Sequence, residues 1–168
     1  RSDSEQLQKF IERTHGKRPR VISVGDGDLA ALEIMRAVRG GEIAAMQGDR
    51  TVDARDVRLP FFGHDARFPV GPWVIAALSG APILWSFAIR VGPRQYRFVA
   101  DPPRVLKFDS KRPKDEQLRE WVSVYVARVE EILREHPYQW FNFFDFWAAE
   151  PKLPAAKPTS TVGPIVPP

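Results

Sequence analysis

Residues 68–89 carry no charged side chain. Twenty-two uncharged residues in a row are enough to span a bilayer as a helix, so this run decides between a membrane-crossing chain and a folded domain with a deep core. Pro69, Gly71 and Pro72 stand at its start, and Gly80 and Pro82 near its middle. A glycine closely followed by a proline reads as a helix stop and the entry to a new element. The run therefore divides into a helix over 72–78, a turn, and a buried strand over 83–89. Strands covered on both faces, as in parallel sheets, are apolar throughout, which accounts for the missing charges.

The rest of the 168 residues alternates in the same way. Leu7, Phe10 and Ile11 give a helix over 4–14, with Ser4 as N-cap and Gly16 as stop. A β-branched strand is expected over 21–24. Asp28 caps a helix over 29–39 with Leu29, Leu32 and Met35 or Arg36 around one face, and Gly40-Gly41 ends it. The apolar Ile43-Ala44-Ala45-Met46 reads as a strand over 42–46, followed by a polar loop over 49–58. Pro60-Phe61-Phe62-Gly63 reads as an apolar insertion, and 96–100 as a further strand. The strongest helix covers 115–134, where Leu118, Trp121, Val122, Tyr125, Val129, Ile132 and Leu133 keep helical spacing. Residues 151–168 are Pro-rich and read as an extended or disordered tail. Strands alternating with helices predict an α/β fold, a mainly parallel sheet flanked by helices, over residues 1–150.

Composition removes several chemistries. With no cysteine there is no disulfide, no thiol nucleophile and no thiolate-held metal. Three histidines, His15, His64 and His136, argue against a multi-histidine metal site. The net charge of +4 points to an anionic partner. No nucleic-acid-binding signature accompanies the basic residues, which alternate with acidic ones, so nucleic acid is not expected.

Three stretches carry possible chemistry. Gly25-Asp26-Gly27-Asp28-Leu29-Ala30 matches a dinucleotide-loop spacing, with Asp49 placed as a ribose acid. Asp26 and Asp28 would repel a pyrophosphate, which favours a strand-to-helix turn capped by Asp28. The same two carboxylates lack the further acids of a calcium loop. Gln47-Gly48-Asp49-Arg50 follows an expected buried strand, where open α/β sheets bind ligands. There Gly48 permits close backbone approach, and Arg50, Arg55 and Arg58 present planar forks to phosphate or carboxylate oxygens. The alternative is a surface loop in which Asp49, Asp53 and Asp56 neutralise those arginines. Finally, seven of the chain's nineteen aromatic residues fall between Tyr138 and Trp147. Trp140, Phe143 or Phe144, and Trp147 share a helical face, and Phe141 and Phe146 lie off it. The segment reads as a wedge in the core, with some rings left for lipid contact.

The block Gly40-Gly41-Glu42-Ile43-Ala44-Ala45-Met46-Gln47-Gly48-Asp49-Arg50 resembles the strand and loop of the bacterial lipid A biosynthesis (lauroyl/myristoyl) acyltransferase family. Leu59-Pro60-Phe61-Phe62-Gly63, then Phe68-Pro69-Val70-Gly71-Pro72 leading into Ala76-Ala77-Leu78-Ser79-Gly80-Ala81-Pro82-Ile83, then His136-Pro137-Tyr138-Gln139-Trp140-Phe141 follow in the family's order. The resemblance implies a glycerolipid-acyltransferase-like α/β fold at the cytoplasmic face of the bacterial inner membrane. It implies transfer of a fatty acyl chain from an acyl carrier protein or coenzyme A thioester to a hydroxyl of a lipid or glycolipid acceptor, with no cofactor. Asp49 and Arg50 match the loop that holds the acceptor or its phosphate, Asp49 the more closely; Gln47, Gly48 and Arg50 differ from the lipid A members. The wider superfamily uses a His-x4-Asp/Glu pair, in which the histidine takes the acceptor's proton and the carboxylate orients the ring. Five residues after His15, His64 and His136 stand Arg20, Pro69 and Phe141, so the pair is absent here. The expectation is the C-terminal portion of an acyltransferase whose general base and membrane anchor lie elsewhere. The alternatives are a non-enzymatic module binding anionic lipid or acidic carrier protein, and a different transferase or hydrolase pairing His64 or His136 with Asp65 or Asp145.

Overall fold

A computed structural model describes residue 22 and residues 28–50, 55–142 and 145–148. The helix expected over 4–14, the strand over 21–24 apart from Ile22, Gly25, Asp26, Gly27, Asp53 and the Pro-rich tail lie outside the described residues. The elements in order are α1 (Asp28–Arg39), β1 (Asp56–Phe61), β2 (His64–Pro69), α2 (Gly71–Ser79), β3 (Ser86–Gly92), β4 (Gln95–Ala100), α3 (Lys114–Glu135) and a 3-10 turn (Pro137–Gln139).

The expected parallel sheet is not what forms. The described strands make two separate antiparallel pairs, β1 with β2 and β3 with β4. The cause lies in the connections, since an antiparallel pair needs only a tight turn, whereas a parallel pair needs a crossover of about a dozen residues. Phe62 and Gly63 are such a turn, both left-handed at φ 51° and 82°. Gly63 adopts that conformation freely. Phe62 is held there by its N–H, which donates to Glu130 Oε1 at 2.7 Å. The apolar insertion expected at residues 60–63 is thus the end and turn of a hairpin. Pro60 stands one pair from the turn, opposite Asp65, where a strand's N–H faces away from its partner and is not missed. The polar loop expected over 49–58 ends earlier than foreseen, because Asp56, Val57 and Arg58 already belong to β1. Pro93 and Arg94 (φ 58°) turn β3 into β4.

Residues 42–46, expected as a strand, find no ladder partner among the described residues, and Ile43 is 98% exposed. The uncharged run divides at Gly80, left-handed at φ 74°, where α2 stops. The strand after it, β3, begins at Ser86 rather than at residue 83 and buries only Ile89. The reason is that a strand in a two-stranded antiparallel hairpin is covered on one face and not on both. No helix among the described residues is long and apolar enough to cross a membrane.

The core lies between one face of the β1–β2 hairpin and the stripe on α3. Leu59, Phe61, Ala66 and Phe68 meet Leu118, Val122, Val126, Val129 and Leu133, with Val70, Trp73 and Phe146 closing the cluster. Val57, Leu59 and Phe61 alternate inward along β1, as a half-buried strand requires. On α1 the buried positions are Ala30 and Ala37, while Leu29 and Leu32 point outward. The face is therefore not the one expected, because small side chains let α1 approach α2 closely. Arg39 Nη2 secures that contact by donating to the carbonyl of Leu78 at 3.0 Å.

Gln117 is a buried polar group at the start of α3. Its Nε2 donates to the carbonyls of Asp109 and Arg112, each at 3.0 Å, and its Oε1 accepts from the Asp109 N–H at 2.8 Å. Gln117→Leu leaves those backbone groups without partners and is expected to lower stability by about 1–3 kcal/mol, read as a shift in urea midpoint. A shift below a tenth of that range would mean that water replaces the amide.

Candidate functional site

The extended residues 42–47 deliver Gly48, Asp49 and Arg50 to the side of α3, where the chain after the 3-10 turn also passes. Gln47, Asp49, Arg50, Trp140, Phe141 and Asn142 line a small groove of about 60 Å³. A space of this size, lined mostly by polar side chains, suits a few polar atoms rather than a long acyl chain. Asp49 is fixed in it by Trp140, whose indole Nε1 donates to Oδ2 at 3.1 Å. Arg50 is exposed and has no hydrogen-bond or ion-pair partner among the described residues.

The position of this loop depends on Gly48. A Cβ there would lie 2.7 Å from Tyr125 Cζ and 2.8 Å from its phenol oxygen. Only glycine lets the loop pass over the ring without displacing it. Tyr125 is enclosed in turn by Trp73 at 5.4 Å, Trp85 at 5.6 Å and Phe87 at 6.5 Å between ring centroids. Burial pushes its phenol well above the usual tyrosine range, and the neighbouring charge of Asp49 adds to the shift. The neutral phenol is thus a packing surface beneath the loop.

Of the five residues expected to bind substrate, Gly48, Asp49 and Arg50 come together. Arg55 and Arg58 do not line the groove. Arg55 precedes β1, and its carbonyl accepts from the Val70 N–H at 3.4 Å. Arg58 is exposed on β1, and its carbonyl accepts from Arg119 Nη1 at 2.7 Å. Of the three aspartates that could neutralise the loop arginines, Asp53 lies outside the described residues and the other two have partners outside the loop. Asp56 takes Arg67, whose Nε donates to Oδ2 at 2.7 Å, and Asp49 takes the Trp140 indole.

The aromatic segment is a turn and extended chain rather than one helical face. Phe143 and Phe144 lie outside the described residues. Phe146, off the expected face, is the most buried ring described in it at 4% exposure. Phe61 is its hub, with ring centroids at 5.3 Å from Trp140, 5.5 Å from Phe146 and 6.0 Å from Trp147. The segment is therefore largely core, and through Trp140 the core reaches Asp49.

Neither histidine described here meets the expected carboxylate in the groove. His64 and Asp65 are exposed at the start of β2. His136 lies 4.0 Å from Glu135, and the Asp145 carboxylate accepts from the Trp147 N–H. Among the described residues no group of three or more His, Asp or Glu is placed to hold a metal ion.

Nothing in the local sequence marks Tyr125 as the floor of the loop or Trp140 as the partner of Asp49. Both were visible only as members of apolar patterns. No curated protein and no solved structure matches the chain. The family model described as bacterial lipid A biosynthesis acyltransferase matches residues 8–148. That span takes in α1, both hairpins, the groove and the aromatic segment, and the chain belongs to the bacterial lipid A biosynthesis acyltransferase family.

Proposed function

We propose that this chain forms the acceptor side of an enzyme that moves a fatty acyl group from an acyl carrier protein or coenzyme A thioester to a hydroxyl of a lipid or glycolipid, at the cytoplasmic face of a bacterial inner membrane. The family supports acyl transfer for lipid A biosynthesis in general. The observation that carries the finer assignment is Arg50: an exposed guanidinium in a polar groove, beside a carboxylate already engaged by Trp140. A guanidinium whose N–H groups have no partner among the described residues suits a phosphate or carboxylate on the acceptor, bound by paired charge-assisted hydrogen bonds. Asp49, with one oxygen held by the indole, keeps acceptor capacity for a sugar hydroxyl.

The groove is too small for the acyl chain, so it is assigned the headgroup alone. Deprotonation of the attacking hydroxyl falls to a general base that the three histidines of this chain, none followed by a carboxylate at the required spacing, do not supply. The 168 residues by themselves are therefore expected to give no acyl transfer from a thioester, and turnover by them would overturn that part of the proposal.

In an enzyme containing the base, Arg50→Ala is expected to lower kcat/KM for the acceptor by about 1.5–3 kcal/mol, roughly 10- to 150-fold, with the thioester KM unchanged. Unchanged acceptor kinetics would return the loop to a surface role. Headgroup binding with no transfer, in the presence of a competent base, would favour the binding module instead.

A further inference from the structure

We propose that the β3–β4 hairpin, together with the exposed ring of Tyr138, is a docking surface for an anionic lipid bilayer. The hairpin carries Arg90, Arg94 and Arg97 and has no acidic residue between Ser86 and Ala100. Its two faces differ. Phe87 and Ile89 turn inward, Phe87 toward Tyr125 and Ile89 to 5% exposure. The pairs Arg90↔Tyr96 and Ala88↔Phe98 put Arg90, Tyr96 and Phe98 on the opposite face. There Tyr96 is 58% and Phe98 77% exposed. Two bare rings and a guanidinium on the outer face of a two-stranded sheet have no role in its core.

A second element joins this surface. The Gln139 side chain pairs with both backbone groups of Arg90, accepting from its N–H at 2.6 Å and donating to its carbonyl at 3.0 Å. That clamp fixes the 3-10 turn against β3 and holds Tyr138, 93% exposed, alongside the hairpin. Two residues beyond the clamp, Phe141 is 72% exposed and lines the groove with Asp49 and Arg50.

Aromatic rings that are apolar in body, set among arginines with no carboxylate between them, match the chemistry of a membrane–water interface. The rings enter the headgroup region, and the arginines meet lipid phosphates. An acidic protein would satisfy the arginines but would leave the bare rings unexplained. Bilayer docking stands on the hairpin's own charges and rings; only its delivery of a membrane-held headgroup to the adjacent groove rests on the function proposed above.

The test is sedimentation of the 168-residue chain with vesicles of phosphatidylcholine containing phosphatidylglycerol, against vesicles of phosphatidylcholine alone. Binding is expected to require phosphatidylglycerol and to weaken as salt rises. Arg90→Gln with Arg94→Asn is expected to weaken binding by about fivefold per charge removed, Arg90 standing beside Tyr96 on the outer face. Asparagine tolerates the left-handed backbone at position 94. Tyr96→Ser with Phe98→Ser is expected to weaken it at least tenfold, with an unchanged thermal melt. No sedimentation of the parent chain, equal binding to neutral vesicles, or parent-like binding by both variants would overturn the proposal. So would parent-like vesicle binding by a Tyr96/Phe98 variant that has lost binding to purified acyl carrier protein, which would assign the face to an acidic protein. The readout involves no acyl transfer, so failure of the enzymatic assignment leaves it standing.

Discussion

Truncating Phe61 to alanine is expected to destabilise the fold by about 3–5 kcal/mol, the range for a buried phenylalanine whose site cannot collapse. The side chain is fully buried at the end of β1. It touches rings from three parts of the chain: Phe68 on β2, Trp140 after the 3-10 turn, and the Phe146–Trp147 turn. Removing it opens a cavity at the point where the hairpin meets the C-terminal aromatic segment. Domains of this size have about 5–15 kcal/mol of stability in all, so the loss is a large fraction of the whole. A denaturant titration followed by tryptophan emission reads it as a lower midpoint at unchanged slope. The same change should loosen Trp140 and with it the indole bond to Asp49. A loss below 1 kcal/mol would show that the neighbouring rings repack into the gap.

Gly48→Val is expected to reduce acyl transfer by more than about a hundredfold in an enzyme that contains the base, since displacements of about 1 Å at a positioned group have effects of that size. The first atom of the new side chain falls within 3 Å of three Tyr125 atoms, and that ring is itself hemmed in by Trp73, Trp85 and Phe87. The loop must lift and carry Asp49 and Arg50 with it. Overpacking of this kind also lowers stability by about 1–3 kcal/mol. Tyr125→Leu removes the obstructing atoms at the price of a cavity. The double variant should therefore lose less than the two single variants together, by about 1 kcal/mol or more in a double-mutant cycle. Strict additivity would mean that the loop does not rest on Tyr125.

What could be read from the sequence followed the reach of each interaction. The stripe on α3 was legible because a single helix period relates Leu118, Val122, Val129 and Leu133, although Val126, buried on the same stripe, was not among the residues read. The split of the uncharged run at Gly80 was legible because a left-handed stop is a local property. The β1–β2 hairpin was not, because Pro60 and a phenylalanine at φ 51° imitate a loop, and only Glu130, 68 residues away, makes that turn affordable. Residues 42–46 have the composition of a strand, but a strand exists only where another offers its edge. At the groove, Asp49 and Arg50 stood out by charge, although the buried strand expected to precede them does not form. Their supports, Trp140 and Tyr125, come from 91 and 76 positions farther along the chain and carry no local sign of the task.

Both sheets are built from strands that are neighbours in sequence, each closed by a two-residue turn. Closing a flexible loop becomes harder by about 0.6 kcal/mol for every doubling of its length, so these pairings belong to the least demanding end of the chain-entropy scale. Such hairpins form on a scale of about 1–10 μs. The slow, distance-spanning part of folding is then the arrival of α3 and of the ring cluster around Phe146 on a hairpin that is already assembled. The groove, made only when residues 47–50 meet residues 140–142, is completed by that same late step.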